Sequence, residues 1–109
     1  LHDWGIIAVN SDLPTIQEKI KMAICRMGSV VGNISITPRF QAYAGGVFDE
    51  SNEEGPFHSV VIIGWDDTRD SWIIRNSWGP RWGTGGIAHI RFHKTLLDKK
   101  VYWLRLKDN

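Results

Sequence analysis

The sequence predicts an α+β domain, one helix plus an antiparallel sheet curled toward a barrel. Two observations lead there. A single stretch, residues 15–27, repeats its apolar residues with the period of a helix. The later apolar runs are short, rich in β-branched and aromatic residues and separated by turn clusters. At 109 residues and 42% hydrophobic, the chain has material for one small domain spanning 1–109.

The opening "LHDWGIIAVNSD" lacks the basic start and long apolar core of a signal peptide, and reads as sequence from inside a domain. Thr15 is the expected N-cap of "TIQEKIKMAICRM". Glu18 completes a capping box, Pro14 precedes it and Gly28 takes the C′ position. Ile16, Ile20, Ala23, Ile24 and Met27 share one face, and Cys25 falls on the opposite one. Expected strands follow: Ser29–Ile36, His58–Trp65, Ser71–Trp78, Gly85–Phe92 and Val101–Leu106. The near-continuous apolar run "HSVVIIGW" suits a strand covered on both faces. "DDTRD", Asp66 to Asp70, is the turn of a hairpin, and "AGGVFDESNEEGPF" is loop.

A net charge of +1 gives no strong pull toward nucleic acid or anionic membrane, and no apolar run approaches the roughly 20 residues of a transmembrane helix. Cys25 is the only cysteine, so no intrachain disulfide and no cysteine-based zinc cluster is expected. A single cysteine suits a bacterial or intracellular protein and equally allows a secreted or lysosomal one. His2, His89 and His93 read as surface or half-buried residues; His89 and His93 fall too far apart on a strand to share a metal. "DESNEE" lacks the spacing of a calcium loop. The sequon "NIS" at Asn33 lies inside an expected strand. No metal and no cofactor is expected.

The chemistry gathers in the hairpin. His58 opens its first strand and Asn76 lies near the end of its second, so antiparallel pairing brings both to one end of the sheet. An amide oxygen accepting one imidazole N–H fixes the tautomer and leaves the other nitrogen to act. Trp78, two residues beyond Asn76, is placed to cover that hydrogen bond and keep water from it.

The segment "GPFHSVVIIGWDDTRDSWIIRNSWGPRWGTGGIAHI" resembles the His and Asn regions of papain-like cysteine proteases, the family of papain and the cathepsins. The matching pieces are "HSVVIIGW", "WIIRNSWG", "RWG" and "GGIAHI", with His58 and Asn76 18 residues apart. "IKMAICRMGSVVGNISI" and "FQAYAGGVFDE" resemble the family's preceding helix, strand and aromatic-rich segment. Departures are Gly28-Ser29 for the usual Gly-Pro, Phe57 where Asn or Asp is common before the His, Ile87-Ala88 for the usual Tyr-Ile, and a tail without the cysteines of many eukaryotic members.

The resemblance implies the C-terminal, β-rich, right-hand lobe of the papain fold. His58 would be the proton carrier, Asn76 would orient it and Trp78 would shield the pair. Trp82 would line the leaving-group side, while Ser59 and Pro56 would wall a pocket for a substrate side chain. The nucleophilic Cys, carried in the family at the start of a helix in the N-terminal lobe, is expected on a missing lobe or a partner chain. Cys25 lies late in a different helix, where thiolate gains nothing from the helix N-terminus. The implied function is half of a cysteine endopeptidase acting on peptide or protein substrates. The alternative is a non-catalytic peptide-binding or structural module of the same fold.

Overall fold

The computed structural model describes residues 2–9, 13–51, 54–93, 95, 97 and 99–106. Strand β1 (His2–Val9) leads to helix α1 (Leu13–Met27), strand β2 (Val30–Ser35), the one-turn helix α2 (Pro38–Gln41) and the two-residue strand β3 (Val47–Phe48). Then follow β4 (Phe57–Asp66), β5 (Ser71–Arg75), β6 (Ile87–Arg91) and β7 (Lys100–Leu106). Seven strands form one sheet in the order β1-β7-β2-β4-β5-β6-β3. Its strand pairs are antiparallel except β3 with β6, so the sheet is mixed and open where a wholly antiparallel, barrel-like one was expected.

Helix α1 starts two residues before the expected cap. Thr15 is therefore a third helical residue and not the N-cap; Pro14, which has no N–H to lose, sits in the first turn. Residues 1, 10–12, 52–53 and 98 and the side chain of His2 lie outside the described ones, and with them the ends of the opening segment, the middle of "DESNEE" and the start of "DKK". At the other end Gly28 adopts φ +88° and its N–H closes on Ile24 O at 2.8 Å, the C′ geometry that glycine permits. Ile16, Ile20 and Ile24 are buried, Ala23 and Met27 half-buried, and Cys25 is exposed.

Three expected strands are shorter in the structure, as β2, β5 and β6, and three elements were not foreseen. β5 ends at Arg75, not Trp78, because Asn76 turns into a loop; its N–H is taken by Gly86 O at 3.0 Å. β1, α2 and β3 fall in stretches left unassigned or read as loop. α2 has its own signal: Thr37 is extended and accepts the Phe40 N–H at 3.1 Å on Oγ1, with Pro38 at the first helical position.

One side of the sheet faces the core, in which Trp72, Phe40, Ile62, Ile74, Ile90 and Ile20 have no exposed surface. β4 reaches this core twice. Val60 and Ile62 are buried, and Trp65 packs against the same cluster. A strand with a strict two-residue period cannot turn both Ile62 and Trp65 inward. The pairing shows the device: Ile62 faces Ile74 and Gly64 faces Ile73, so Ile63 is an extra residue, a β-bulge.

Candidate active site

The bulge decides where His58 points. Counting back from Ile62, the core-facing residues of β4 are Val60 and then His58; on β5 they are Trp72 and Ile74, with Asn76 next in the series. Without Ile63 the same strand would turn His58 to the opposite face. As built, His58 Nε2 and Asn76 Oδ1 lie 2.7 Å apart.

The proton on this bond can be assigned. Asn76 Oδ1 also accepts the Ser77 backbone N–H at 2.7 Å, which identifies it as the oxygen of the amide. An oxygen without a proton requires a donor opposite, so Nε2 carries hydrogen and Nδ1 is the basic nitrogen of neutral His58. Asn76 is 5% exposed. Its Nδ2 is buried and has no partner among the described residues, a cost on the order of 1–3 kcal/mol that the sheet's packing sustains.

Trp78 stacks on the imidazole, ring centroids 4.9 Å apart and planes 18° from parallel. It is held from behind by Phe40 at 5.5 Å and Trp82 at 5.6 Å, both edge-on. Trp82 is the foundation of this group. It is 7% exposed, donates its indole N–H to Phe40 O at 3.0 Å and tilts against both Phe40 and Tyr43. Little of its surface is exposed, because its ring packs beneath Trp78. The loop between is tied down by Gly86 N–H to Trp82 O at 2.8 Å and Gly83 N–H to Tyr43 O at 3.1 Å.

The remaining residues singled out from the sequence are less closely grouped. Ser59 is exposed and donates to Asn33 Oδ1 at 2.8 Å. Pro56 is exposed, and its carbonyl accepts the Ile36 N–H at 2.9 Å. Phe57, beside His58, is 53% exposed. His89 Nδ1 meets the buried Ser71 hydroxyl at 3.2 Å and His93 Nε2 meets Gln17 Nε2 at 2.7 Å, so the two histidines serve different partners. Sequence reasoning placed Phe40 and Tyr43 in the aromatic-rich segment "FQAYAGGVFDE" but gave them no role at the site. Their signal was the i, i+3 aromatic pair straight after the Thr37-Pro38 cap.

The model of the papain family cysteine protease matches residues 5–101. The chain belongs to the papain family of cysteine proteases. Among curated papain-family proteins, it is 38% identical over 95 residues to cathepsin Z of Onchocerca volvulus, a match covering 84% of this chain and 31% of that protein. It is 34% identical over 89 residues to mouse cathepsin K, covering 76% of this chain and 27% of that one. The chain thus spans about a third or less of the length of these relatives. Among solved structures, digestive procathepsin L 3 of Tenebrio molitor larval midgut superimposes with a TM-score of 0.76 at 23% identity, over 94% of this chain and 34% of that one. That likeness establishes the α+β papain-like fold of this papain-family chain.

Proposed function

We propose that this chain supplies the proton-handling half of a two-lobed cysteine peptidase, with the nucleophilic Cys on an N-terminal lobe or partner chain. The observation that carries this reading is the 2.7 Å His58–Asn76 contact, with Ser77 fixing the amide and therefore the tautomer. With Nε2–H committed to Asn76, Nδ1 faces the chemistry. There it would take the proton of the thiol, forming a thiolate–imidazolium pair. The thiolate attacks the peptide carbonyl carbon. As the C–N bond breaks, Nδ1–H gives its proton to the leaving amine, and an acyl-thioester remains. Nδ1 then takes a proton from water, whose oxygen attacks the thioester, and the proton returns to the departing sulfur. Asn76 holds the ring in place, and Trp78 keeps that hydrogen bond dry and strong. Ser59 and Pro56 are assigned to the substrate's side chain, and Trp82 supports Trp78 from beneath. The substrates are peptides or proteins; Cys25, exposed near the end of α1, has no part in the reaction.

The test measures kcat/KM in the assembled enzyme, both lobes present. His58→Ala is expected to abolish turnover, losing at least the ~10²–10⁴-fold of general acid–base catalysis together with the thiolate's partner. Asn76→Ala is expected to lose less, because Trp78 retains part of the ring's orientation, and Trp78→Ala should resemble Asn76→Ala. The 109-residue chain alone should neither hydrolyse peptides nor be labelled rapidly at Cys25 by an electrophilic peptide inhibitor. Near-normal turnover by His58→Ala would sink the assignment and leave the peptide-binding module as the better reading.

A further inference from the structure

Away from the hairpin, a hollow of about 280 Å³ opens between α1 and the edge of the sheet, where β1 pairs with β7. Gly5 makes it possible. It sits opposite Trp103, and a Cβ there would lie 2.5 Å from the indole nitrogen, so only glycine lets the Trp103 ring lie across β1. Ile7, Ala23 and Trp103 are half-buried, pack against the core and line the hollow. Met22 and Met27 line it too, and they are the two methionines of the chain. Met22 is 50% exposed, an apolar side chain that the fold itself leaves uncovered.

The charge around this apolar surface has one sign. Lys19 and Arg26 complete the lining, and no acidic residue among the described ones joins them. Lys19, Met22, Ala23 and Arg26 recur at i, i+3, i+4 and i+7, one face of the helix. The two cations therefore stand about 10 Å apart along its axis with apolar side chains between them. Both are exposed, and neither forms an ion pair among the described residues, whereas Lys21 is held by Asp67 at 2.9 Å. An apolar hollow with uncompensated positive charge at its rim complements a molecule with an apolar body and an anionic end. The volume limits the body: at roughly 30 Å³ for a group the size of water, it holds about nine carbons. Arg26 is the better partner for a carboxylate, because its planar guanidinium offers two parallel N–H donors where the Lys19 ammonium is a point charge.

We propose that this hollow binds a medium-chain carboxylate, a free fatty acid of about ten carbons, with its chain against Trp103 and the two methionines and its head on Arg26. The His58–Asn76 pair lies on β4 and the loop after β5, so this site and the peptidase reading stand or fall separately. The test titrates the assembled protein, this chain isotopically labelled at its methionine methyls, with decanoate below its micelle-forming concentration. Both methyl signals should shift saturably in NMR spectra, with a dissociation constant on the order of 0.1–1 mM, the range for about a dozen non-hydrogen atoms at ordinary ligand efficiency. Acetate should shift neither signal, and decanol should bind about fivefold more weakly than decanoate. Arg26→Gln should remove most of that preference for the charged head, and Lys19→Gln should change decanoate binding by about twofold or less. Ala23→Leu, which fills the hollow with a good helix former, should abolish the shifts. Should that variant fold poorly, the decanol and Arg26→Gln comparisons decide. Absence of saturable shifts, or equal affinity for decanol and decanoate, overturns the inference. So does binding to anionic phospholipid vesicles in place of free decanoate. Self-association without decanoate, seen by sedimentation and lost in Ala23→Leu, also overturns it and makes a second copy of the chain the occupant.

Discussion

Trp78-Gly79 and Trp82-Gly83 are the same dipeptide four residues apart, and the fold puts them to opposite uses. Trp78 is 37% exposed with one face on His58; Trp82 is 7% exposed, its indole N–H spent on Phe40 O. The glycines divide in the same way. Both have positive φ, +89° at Gly79 and +60° at Gly83. A Cβ on Gly79 would meet nothing within 4 Å, whereas one on Gly83 would lie 2.6 Å from Ile87 O and 3.3 Å from the Tyr43 ring. The first dipeptide is a cover over the site and the second is its footing. Motif identity therefore gives the residue types but not which of the two tryptophans stacks on the imidazole.

Substitutions at the two dipeptides should separate cover from footing. Trp82→Ala has the largest expected effect, a stability loss of about 3–5 kcal/mol from removing a buried aromatic on which Phe40, Tyr43 and Trp78 all lean. Urea unfolding would measure it, and a loss under 1 kcal/mol would erase the distinction. Gly83→Ala comes next, since backbone strain and a backbone clash act together. Gly79→Ala should lose only the strain, roughly 1–2 kcal/mol, and equal losses at the two glycines would contradict the packing described.

Trp78→Ala should cost about 1–2 kcal/mol, because its ring is only partly buried. Its signature lies elsewhere. The His58 Nε2–H, 2.7 Å from Asn76 Oδ1, should exchange with water faster, an effect visible by NMR of the ring nitrogens. Unchanged exchange would mean that the indole does not protect this bond. The smallest effect belongs to the far end of the same hairpin. Asp66 titrates below the usual carboxylate range, chiefly because the Thr68 hydroxyl donates to its Oδ1 at 2.6 Å, with the Thr68 N–H at 3.0 Å helping. A lowered folded-state pKa means that this contribution to stability is complete above the ordinary carboxylate value and is lost as pH falls through the folded one. Thr68→Ala should raise the Asp66 pKa and leave the His58–Asn76 end untouched; an NMR titration checks both.

The juxtaposition of His58, Asn76 and Trp78 was more legible than the fold around it. His58, Asn76 and Trp78 lie in one hairpin, so counting outward from the Asp66–Asp70 turn was enough to bring them to one end. The helix face of Ile16, Ile20 and Ile24 was legible for the same reason, local periodicity. What stayed hidden depends on partners distant in sequence. β3 is two residues long and exists through its parallel pairing with β6. β1 is a strand by virtue of β7, about 100 residues away. Nothing in "RWG" reveals that Phe40 and Tyr43, 42 and 39 positions earlier, will pack against Trp82.

The bulge at Ile63 has a consequence for how this hairpin tolerates changes in length. Between Phe57 and Ile62 each residue is committed to a side of the sheet, and Ile63 is the single extra count that reconciles Trp65 at one end with His58 at the other. An insertion or deletion of one residue along that stretch would swap its two sides, sending His58 outward and Ser59 inward; a change of two would keep the sides and slide the imidazole roughly 7 Å along the strand. A longer or shorter turn at Asp66–Asp70 would do neither, since pairing is counted from the rungs and not from the turn. The hairpin can therefore vary in length at its tip, while the count from the bulge back to His58 must stay as it is for imidazole and amide to meet.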